Sequence, residues 1–396
     1  MQSVAFPSTA EARTGLRPVD SPHAGLYVHI PFCRTKCSYC DFNCYAGQNH
    51  LIPAYVEALR AELRLYAELG WRARTLYFGG GTPSLLQPAQ VAAVVRTARS
   101  ELRLGSTEVT LEANPGTVDA GYFSALLETG VNRVSVGVQS FRDSDLKPLA
   151  RHHTAQEARE AFLAAREVGV PSLSLDLIYG LPRQTLAAWE HNVWEALALE
   201  PEHISLYALQ IEEGTPLARQ VAQGRVEPVD DDLMADMYER AHELISAAGL
   251  RRYELSSWVL PGRESQHNRI YWRNEQYIGA GAGAHGYLSG IRYSNERLPS
   301  RYIECLRTGS SSEVEREEIG PELERAETVI LGLRLEEGVS DGEFRERYGR
   351  SLDSVFGSAL DEMLEYGLLT RADGRIQLTD RGRLLSNEVF QRLLPD

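Results

Sequence analysis

Six short β-rich runs alternate with helical patterns along the first half of the chain, and this alternation restricts the fold more than any other feature. Helical periodicity fills the gaps, with Pro53 in the first turn of one helix and Gly130 at the end of another. Strand–helix units in series build a parallel sheet with right-handed crossovers, and a closed barrel of this type needs about eight units. The pattern therefore predicts an α/β fold with an open, partial (β/α)6 barrel. The runs are LYVHI (26–30), TLYF (75–78), EVTLEA (108–113), RVSVGV (133–138), SLSLDLI (172–178) and HISLYAL (203–209).

The segments outside these units differ in composition and divide the chain into regions. The first 25 residues are rich in Pro, Ser and Gly and lack an apolar stretch of signal-peptide length, which predicts a flexible N-terminus and a cytoplasmic protein. After the barrel, a segment containing HNRIYW and GAGAGAHG is predicted to be loop-rich and to close the barrel. The C-terminal order of helix, strand, turn at Ala372-Asp373-Gly374, strand and helix predicts a small winged-helix-like α+β domain. The predicted regions are 1–25 (N-terminus), 26–255 (barrel), 256–319 (closing segment) and 320–396 (C-terminal domain).

The charge balance excludes two classes of partner. Lys and Arg number 41 against 55 Asp and Glu, which gives a formal net charge of −14. A surface of that sign repels phosphate backbones and anionic lipid. The sequence also has no continuous apolar segment of spanning length. We therefore expect no nucleic-acid partner and no stable membrane insertion.

Four of the five cysteines lie in one run directly after the first strand, YVHIPFCRTKCSYCDFNCY. Cys33, Cys37 and Cys40 form a C-x3-C-x2-C loop, whose soft thiolates select iron–sulfur clusters, zinc or cuprous copper. Zinc normally uses paired C-x2-C hooks from separated segments, and a reducing compartment disfavours disulfides. The loop therefore favours a 4Fe-4S cluster with three ligands and one open iron, with a four-thiol zinc site and structural or redox thiols as alternatives.

The sequence YVHIPF followed by this loop resembles the radical S-adenosylmethionine (SAM) superfamily. The resemblance implies that SAM chelates the open iron through its amino and carboxylate groups, and that the fold is the partial six-unit barrel. Polar or glycine positions at the ends of the later strands match the superfamily pattern in order. The resemblance implies that the SAM contacts are Tyr27, Tyr39, Gly80, Gly81, Thr82, Glu112, Gln139, Arg151, Asp176 and Ala208.

Within the superfamily the chain resembles the coproporphyrinogen III oxidase-like branch, through YFGGGTPS, LEANPG, SVGVQSF, LDLIYGLP and LTDRGRLLSNEVF. This branch contains an oxygen-independent coproporphyrinogen III dehydrogenase and HemW-like heme chaperones. The dehydrogenase pattern places a fourth cysteine where this chain has Phe42, and only 26 residues precede Tyr27, which is short for its N-terminal arm. The HNRIYW segment matches the HNxxYW motif of the chaperones. The resemblance therefore implies a heme chaperone with an unknown acceptor protein, and the dehydrogenase remains the alternative, so whether the protein is an enzyme stays open.

The same motif implies a heme ligand. His267 of HNRIYW is the first choice, because a neutral imidazole ligates iron well, and Tyr271 and Trp272 are suited to pack on a porphyrin face. The alternative is a hydrogen-bonded patch at the barrel mouth, and His285 in GAGAHG is the second choice of ligand. Cys44 is interpreted as a spare thiol, with a transient cluster ligand and a heme attachment point as alternatives.

Overall fold

The computed structural model describes Arg13 and residues 15–395, and predictions for residues 1–12, 14 and 396 lie outside the described residues. The strands are β1 (His23–Ile30), β2 (Phe32–Cys33), β3 (Tyr45–Ala46), β4 (Arg72–Gly80), β5 (Val109–Ala113), β6 (Arg133–Gln139), β7 (Ser172–Tyr179), β8 (His203–Ala208), β9 (Arg251–Glu254), β10 (Ser257–Val259), β11 (Tyr277–Ala280), β12 (His285–Leu288), β13 (Ile291–Asn295), β14 (Glu313–Glu318), β15 (Val339–Ser340), β16 (Leu369–Ala372) and β17 (Arg375–Leu378). The helices are α1 (Ile52–Leu69), α2 (Pro88–Ser100), α3 (Ala120–Glu128), α4 (Asp143–Leu146), α5 (Ala155–Glu167), α6 (Leu186–Ala198), α7 (Pro216–Ala222), α8 (Asp231–Ala247), α9 (Gln266–Trp272), α10 (Pro299–Thr308), α11 (Pro321–Gly332), α12 (Asp341–Tyr348), α13 (Leu352–Glu365), α14 (Asp380–Leu384) and α15 (Ser386–Gln391).

The six predicted strands form the parallel centre of the main sheet. They are β1, β4, β5, β6, β7 and β8, they lie side by side in that order, and each pairs parallel with the next. Helices cover the outer face, so the strands are buried almost continuously, as parallel strands in α/β proteins are. The prediction of an α/β partial barrel is confirmed.

The main sheet continues beyond both ends of this parallel centre. On one side β11 pairs parallel with β1 and is followed by the antiparallel strands β12, β13 and β14; on the other side β10 and β9 follow β8. The expectation that 256–319 is loop-rich is therefore wrong, because this segment contains strands and helices of the sheet edge. Its strands are only three to six residues long, which is too short to produce a clear alternation of polar and apolar residues.

The ends of helix α1, which packs on the outer face of the sheet, are set by residues that the sequence shows. Pro53 lies in the first turn of α1, and Gly70 ends the helix with a left-handed φ of 105°. One face of α1 carries Tyr55, Glu62 and Tyr66, all buried against the sheet. An apolar helix face thus includes a carboxylate that needs partners inside the protein.

That carboxylate is the centre of a buried hydrogen-bond network. Glu62 is 0% exposed and accepts hydrogen bonds from Arg13 (2.9 Å), Asn295 (2.9 Å), the backbone N–H of Gly281 (2.8 Å) and Tyr302 (2.6 Å). These groups belong to the N-terminal segment, β13, the turn after β11 and α10. The network therefore joins the N-terminus and the added edge strands to the barrel.

Arg13 also bears on the prediction that residues 1–25 are flexible. Its side chain is 1% exposed, Leu16 is fully buried, and the Leu16 carbonyl accepts a hydrogen bond of 2.6 Å from the indole of Trp71. Strand β1 also begins at His23, earlier than predicted. For the described part of 1–25 the expected flexibility is wrong, because a buried ion pair fixes this segment against α1.

The C-terminal region contains a separate small sheet of order β15-β17-β16. Strands β16 and β17 are joined by a two-residue turn at Asp373 and Gly374, both with positive φ (51° and 72°), as a tight hairpin requires. Helices α11, α12 and α13 contribute Val329, Phe344 and Leu360 to its own apolar core. The structure thus contains the predicted small α+β domain, whose exact boundaries stay a prediction.

In the described part of the chain, we find no helix with both the length and the apolar character that crossing a membrane requires.

Replacing Arg13 by Ala is expected to lower the free energy of unfolding by about 3–5 kcal/mol, because it leaves the Glu62 carboxylate buried without its charged partner. The measurement is urea unfolding followed by circular dichroism. Arg17→Ala, an exposed position close in sequence, is the control and is expected to change stability by less than about 0.5 kcal/mol. Equal effects of the two substitutions would contradict the assignment of the ion pair as a stabilising link.

Candidate functional site

A cavity of about 470 Å³ opens at the carboxyl ends of the parallel strands. This is the edge at which parallel α/β folds place their binding sites, because all the strand-to-helix loops meet there. Its walls contain nearly every site residue predicted from the sequence. Those residues are Cys33, Cys37, Tyr39, Cys40, Gly80, Gly81, Thr82, Glu112, Gln139, Arg151, Asp176 and Ala208.

The cysteine loop rests on the turn that follows β4. The N–H of Gly81 donates to the carbonyl of Ile30 (2.9 Å), and Thr82 Oγ1 donates to the sulfur of Cys33 (3.5 Å). A Cβ on Gly81 would lie 2.7 Å from the Phe32 carbonyl and 3.0 Å from the Cys33 sulfur. Glycine at this position therefore allows the two loops to pack backbone against backbone.

All four thiols of the cysteine run line the cavity. Cys44 lines it with the other three and lies with its sulfur 3.9 Å from that of Cys40. Hydrogen bonding to Cys44 is the main cause that lowers the pKa of Cys33 to about 7, and it also lowers the pKa of Cys40. The same bonds, first that to Cys33, raise the pKa of Cys44. Cys44 is therefore a hydrogen-bonding neighbour of the other thiols rather than an isolated side chain, and its further role stays a prediction.

The metal-ligand assignment itself stays a prediction. Within residue 13 and residues 15–395, no three His, Cys, Asp or Glu side chains converge as a group that could hold a metal ion. Cys305, the cysteine outside the run, lies on α10, away from the cavity.

Arg151 reaches the cysteine loop from the segment before α5. Its Nη2 donates to the carbonyl of Gly137 (2.6 Å) and its Nη1 to the sulfur of Cys37 (3.6 Å). Its Nε is buried and has no hydrogen-bond partner among the described residues. Gln139 turns toward it with a left-handed φ of 68°, and a Cβ on Gly137 would crowd both side chains. The guanidinium is thus held with one donor still unused.

Two carboxyl groups line the middle of the cavity. Burial raises the pKa of Glu112 to about 7, against a hydrogen bond from Tyr77 (2.8 Å) that lowers it. Burial also raises the pKa of Asp176 to about 6, although Ser135 donates to both of its oxygens (3.0 and 3.1 Å). Near neutral pH each group is within reach of both protonation states, and each can accept hydrogen bonds from hydroxyl groups of a ligand.

Tyr27 lies outside this cavity, on the wall of a second one. The second cavity, of about 560 Å³, is bounded by Tyr27, His29, Tyr271 and His285 and opens between β1 and the added edge strands. The two cavities share Asp41, Phe42, Gly80 and Glu112 as a common wall. The hydroxyl of Tyr27 hydrogen-bonds to His29 Nδ1 (3.0 Å). Tyr27 therefore borders the site predicted for SAM without lining its cavity.

The structure does not support His267 as a heme ligand. Its ring is 0% exposed; Nδ1 hydrogen-bonds to Thr75 Oγ1 (2.7 Å) and Nε2 to the hydroxyl of Tyr271 (2.9 Å). The ring also stacks on Tyr77 with centroids 5.1 Å apart, and burial lowers its pKa to about 3. A ligand needs a free ring nitrogen, and here both are used inside the core. These contacts favour the alternative of a hydrogen-bonded patch, although the patch lies against Thr75 in the first half of β4 and not at the barrel mouth where it was expected. Heme ligation by His267 stays a prediction that the contacts oppose.

The two aromatic residues of the HNRIYW segment share one cavity. Tyr271 lines the second cavity, and it also lines, together with Trp272, a third cavity of about 600 Å³ near the C-terminal helix. Trp272 packs under the guanidinium of Arg334, which lies 4.4 Å from the ring centroid.

Sequence reasoning missed several residues of the first cavity. Ser135 and Gly137 precede Gln139 by four and two positions on β6 and face the same side of the sheet. Tyr207 of β8 also lines the cavity. The alternation of side chains along β6 would have identified Ser135 and Gly137 once Gln139 was placed at the strand end. Tyr207 is adjacent to Ala208, so alternation from Ala208 does not identify it.

The residues present fit the two cofactors implied by the resemblance. Thiolates of low pKa suit iron, the glycine turn leaves room for close backbone approach, and the unused Nε of Arg151 is a donor for a carboxylate. The carboxyl groups of Glu112 and Asp176 supply acceptors for hydroxyl groups. The cavity therefore has a donor for the carboxylate of SAM and acceptors for its hydroxyl groups.

Comparison with known proteins gives consistent results. The family model described as Radical SAM superfamily matches residues 27–193, and the model described as HemN C-terminal domain matches residues 321–385. The chain is 40% identical to the heme chaperone HemW of Bacillus subtilis (strain 168), over 93% of this chain and 98% of that protein. It is 37% identical to the heme chaperone HemW of Escherichia coli (strain K12), over 96% of this chain and 100% of that protein. These matches confirm the resemblance to the radical SAM superfamily.

A solved structure gives the same fold. Coproporphyrinogen III oxidase (HemN) from Escherichia coli, described as a radical SAM enzyme, superposes with a TM-score of 0.82 and 22% identity. The superposition covers 98% of this chain and 93% of that one. At this identity the likeness establishes the architecture and not the activity.

Replacing Glu112 by Gln is expected to raise the free energy of unfolding at pH 8 and to raise it by much less at pH 5. The pKa of this carboxyl is raised from 4.5 to about 7 in the folded protein, so the native carboxyl lowers stability progressively as the pH rises from about 4.5 to about 7, and most of this loss lies above pH 5. The shift sets an upper limit of about 3 kcal/mol, and water in the cavity lowers the expected gain to about 1–2 kcal/mol. Urea unfolding of the purified chain at both pH values measures it.

The control for this experiment is Glu213→Gln, at an exposed position. It is expected to show no difference between the two pH values. A gain of equal size at pH 5 and pH 8 in the Glu112 variant would show that the effect does not come from the ionisation of this carboxyl.

Proposed function

Because this chain belongs to the HemW family of radical SAM proteins, we propose that it is a heme chaperone, which binds heme and transfers it to an acceptor protein. The observation that carries the proposal is the similarity to curated heme chaperones over nearly the full length of both chains, at 40% identity in one case. The family membership also implies a 4Fe-4S cluster and SAM.

The proposal assigns the cofactors to the first cavity. Cys33, Cys37 and Cys40 hold the cluster, and Cys44 stays a neighbouring thiol beside them. When bound, the cluster supplies single electrons and SAM supplies a sulfonium that accepts them. The chain's own task is to position these groups and to exclude water from them.

The SAM contacts divide by chemistry. The turn at Gly80, Gly81 and Thr82 offers backbone groups to the amino group of SAM, and Arg151 offers its unused donor to the carboxylate. Glu112 and Asp176 accept hydrogen bonds from ribose hydroxyls. Tyr39, Gln139 and Ala208 complete the walls of the cavity, and Tyr27 supports the turn from the adjoining one.

The domain division and location complete the proposal. The barrel, 26–255, carries the cofactors, and the C-terminal domain, 320–396, serves for packing or for docking the acceptor. The segment 256–319 forms the edge strands beside the second cavity. We assign the protein to the cytoplasm, because cluster ligation requires that the thiols stay reduced.

The alternative function is oxidative decarboxylation of coproporphyrinogen III. The complete SAM cavity favours it, since a carrier has no evident need for these contacts. Against it, the fourth cysteine of the dehydrogenase pattern is replaced by Phe42, whose side chain is 61% exposed between the two cavities. An exposed aromatic ring cannot supply the missing thiol.

Anaerobically reconstituted protein is expected to bind about one heme per chain and to pass it to a heme-free acceptor. Absorption titration measures uptake, and the same sample incubated with SAM, a reductant and coproporphyrinogen III tests for protoporphyrinogen. Heme uptake without decarboxylation supports the chaperone. Decarboxylation without heme uptake would replace the proposal with the alternative.

Cys37→Ala is expected to abolish the brown visible absorption and the iron and sulfide content of the reconstituted protein, while the circular dichroism spectrum stays unchanged. The cysteine lies in the loop at the cavity and not in the apolar core. Cys305→Ala on α10 is the matched control and is expected to keep the full absorption. Unchanged iron and absorption in the Cys37 variant would contradict the ligand assignment.

A further inference from the structure

The geometry points to the second cavity as the heme site, with His285 as the axial ligand of the iron. The inference rests on the proposed function and names the site at which the cargo is held. The cavity, about 560 Å³, has the volume typical of sites for small molecules and cofactors. Its walls include the aromatic rings of Tyr27, Tyr271 and Tyr277, which suit the flat, apolar body of a porphyrin.

His285 is the histidine of this region whose ring is available. It is exposed and lines the cavity at the first position of β12. His29 lines the same cavity, but its Nδ1 is bonded to the Tyr27 hydroxyl (3.0 Å) and its Nε2 to the carbonyl of Asn43 (2.8 Å). His267 is closed off in the same way inside the core. For the ring nitrogens of His285, no hydrogen bond is found among the described residues.

The backbone fixes the position of His285. The preceding turn uses Gly281 and Gly283 with left-handed φ of 105° and 75°, and Asn43 donates to the carbonyl of Ala282 (3.0 Å). A Cβ on Gly279 would overlap the carbonyl of His285, so glycine there lets β11 and β12 approach closely. The backbone that carries the imidazole is therefore held in one position by the turn and by Asn43, as a preorganised ligand requires.

A cation among the lining residues suits the acidic groups of heme. Exposed Arg297 lines the cavity and supplies a guanidinium for the propionate carboxylates. Three carboxyl groups line the same cavity, those of Asp41, Glu112 and Glu315, and Glu315 already accepts a hydrogen bond from Ser294 (2.8 Å).

Neighbouring cavities lack this combination. The first cavity is lined by the cysteines and the SAM residues, and the cavity beside Trp272 and Leu394, about 600 Å³, has no His, Cys or Met among its described lining side chains. The second cavity thus joins adequate space, aromatic walls, a cation and a free imidazole. It also places the heme against the common wall of the SAM cavity.

The test is a heme titration of the full chain, with and without reconstituted cluster, followed by absorption and electron paramagnetic resonance spectra. His285→Ala is expected to raise the dissociation constant by at least about tenfold and to change the Soret band and the spin state of the iron. In His285→Gly, added imidazole is expected to restore the wild-type spectrum. His191→Ala, an exposed histidine on α6, is the matched control.

A second variant tests the cavity independently of the ligand. Val314→Trp fills the mouth at a residue that is 54% exposed and lines it, and it is expected to weaken heme binding with an unchanged circular dichroism spectrum. Val19→Trp, at an 80% exposed position, is the control.

The outcomes distinguish a failure of the proposed function from a failure of the proposed heme site. If the wild-type chain takes up no heme, the proposed function fails and this inference fails with it. If the wild-type chain binds heme and the His285 and Val314 variants keep its affinity and spectrum, the inference alone is overturned. A change of the heme spectrum in His267→Ala with an unchanged His285→Ala spectrum would also overturn it, in favour of the buried histidine.

Discussion

The parallel alignment of β1 and β4 to β8 is the constraint on which the site depends. Parallel strands end at one edge, so residues separated by up to 175 positions, from Cys33 to Ala208, meet around a single cavity. The cysteine loop can lie on this edge only because Gly81 has no side chain at its contact with the Phe32 carbonyl. A small number of backbone contacts thus converts a sheet edge into a binding site.

Most of the barrel and of the first cavity could be predicted, because both follow from local patterns. Each parallel strand is a short β-branched or apolar run between clear helices, and most site residues lie near a strand end or in the loop beyond it. The order of these positions along the chain then fixes their order around the cavity. The cysteine spacing added the chemistry without reference to any distant residue.

The predictions that the structure does not bear out concern features that depend on contacts with residues distant in sequence. His267 is buried because Thr75, 192 positions away, and Tyr77 form its surroundings, and no local pattern distinguishes such a histidine from an exposed ligand. The N-terminal segment was predicted to be flexible because the contact that holds it joins Arg13 to Glu62, which is distant in sequence. No local pattern indicates such a contact. The edge strands from Tyr277 onward were missed because they are short. The pairing of β11 with β1, and of each later strand with the one before it, makes them strands rather than their own propensity.

The wall shared by the two cavities has a thermodynamic consequence. Asp41, Phe42, Gly80 and Glu112 line both cavities. With SAM and heme bound as proposed, a shift of this wall on filling one cavity would alter the free energy of filling the other. Such linkage is reciprocal: whatever factor one occupant imposes on the affinity of its neighbour is returned to it unchanged. In such a protein the presence of SAM would change the affinity for heme and so its release. The presence of heme would change the affinity for SAM by the same factor.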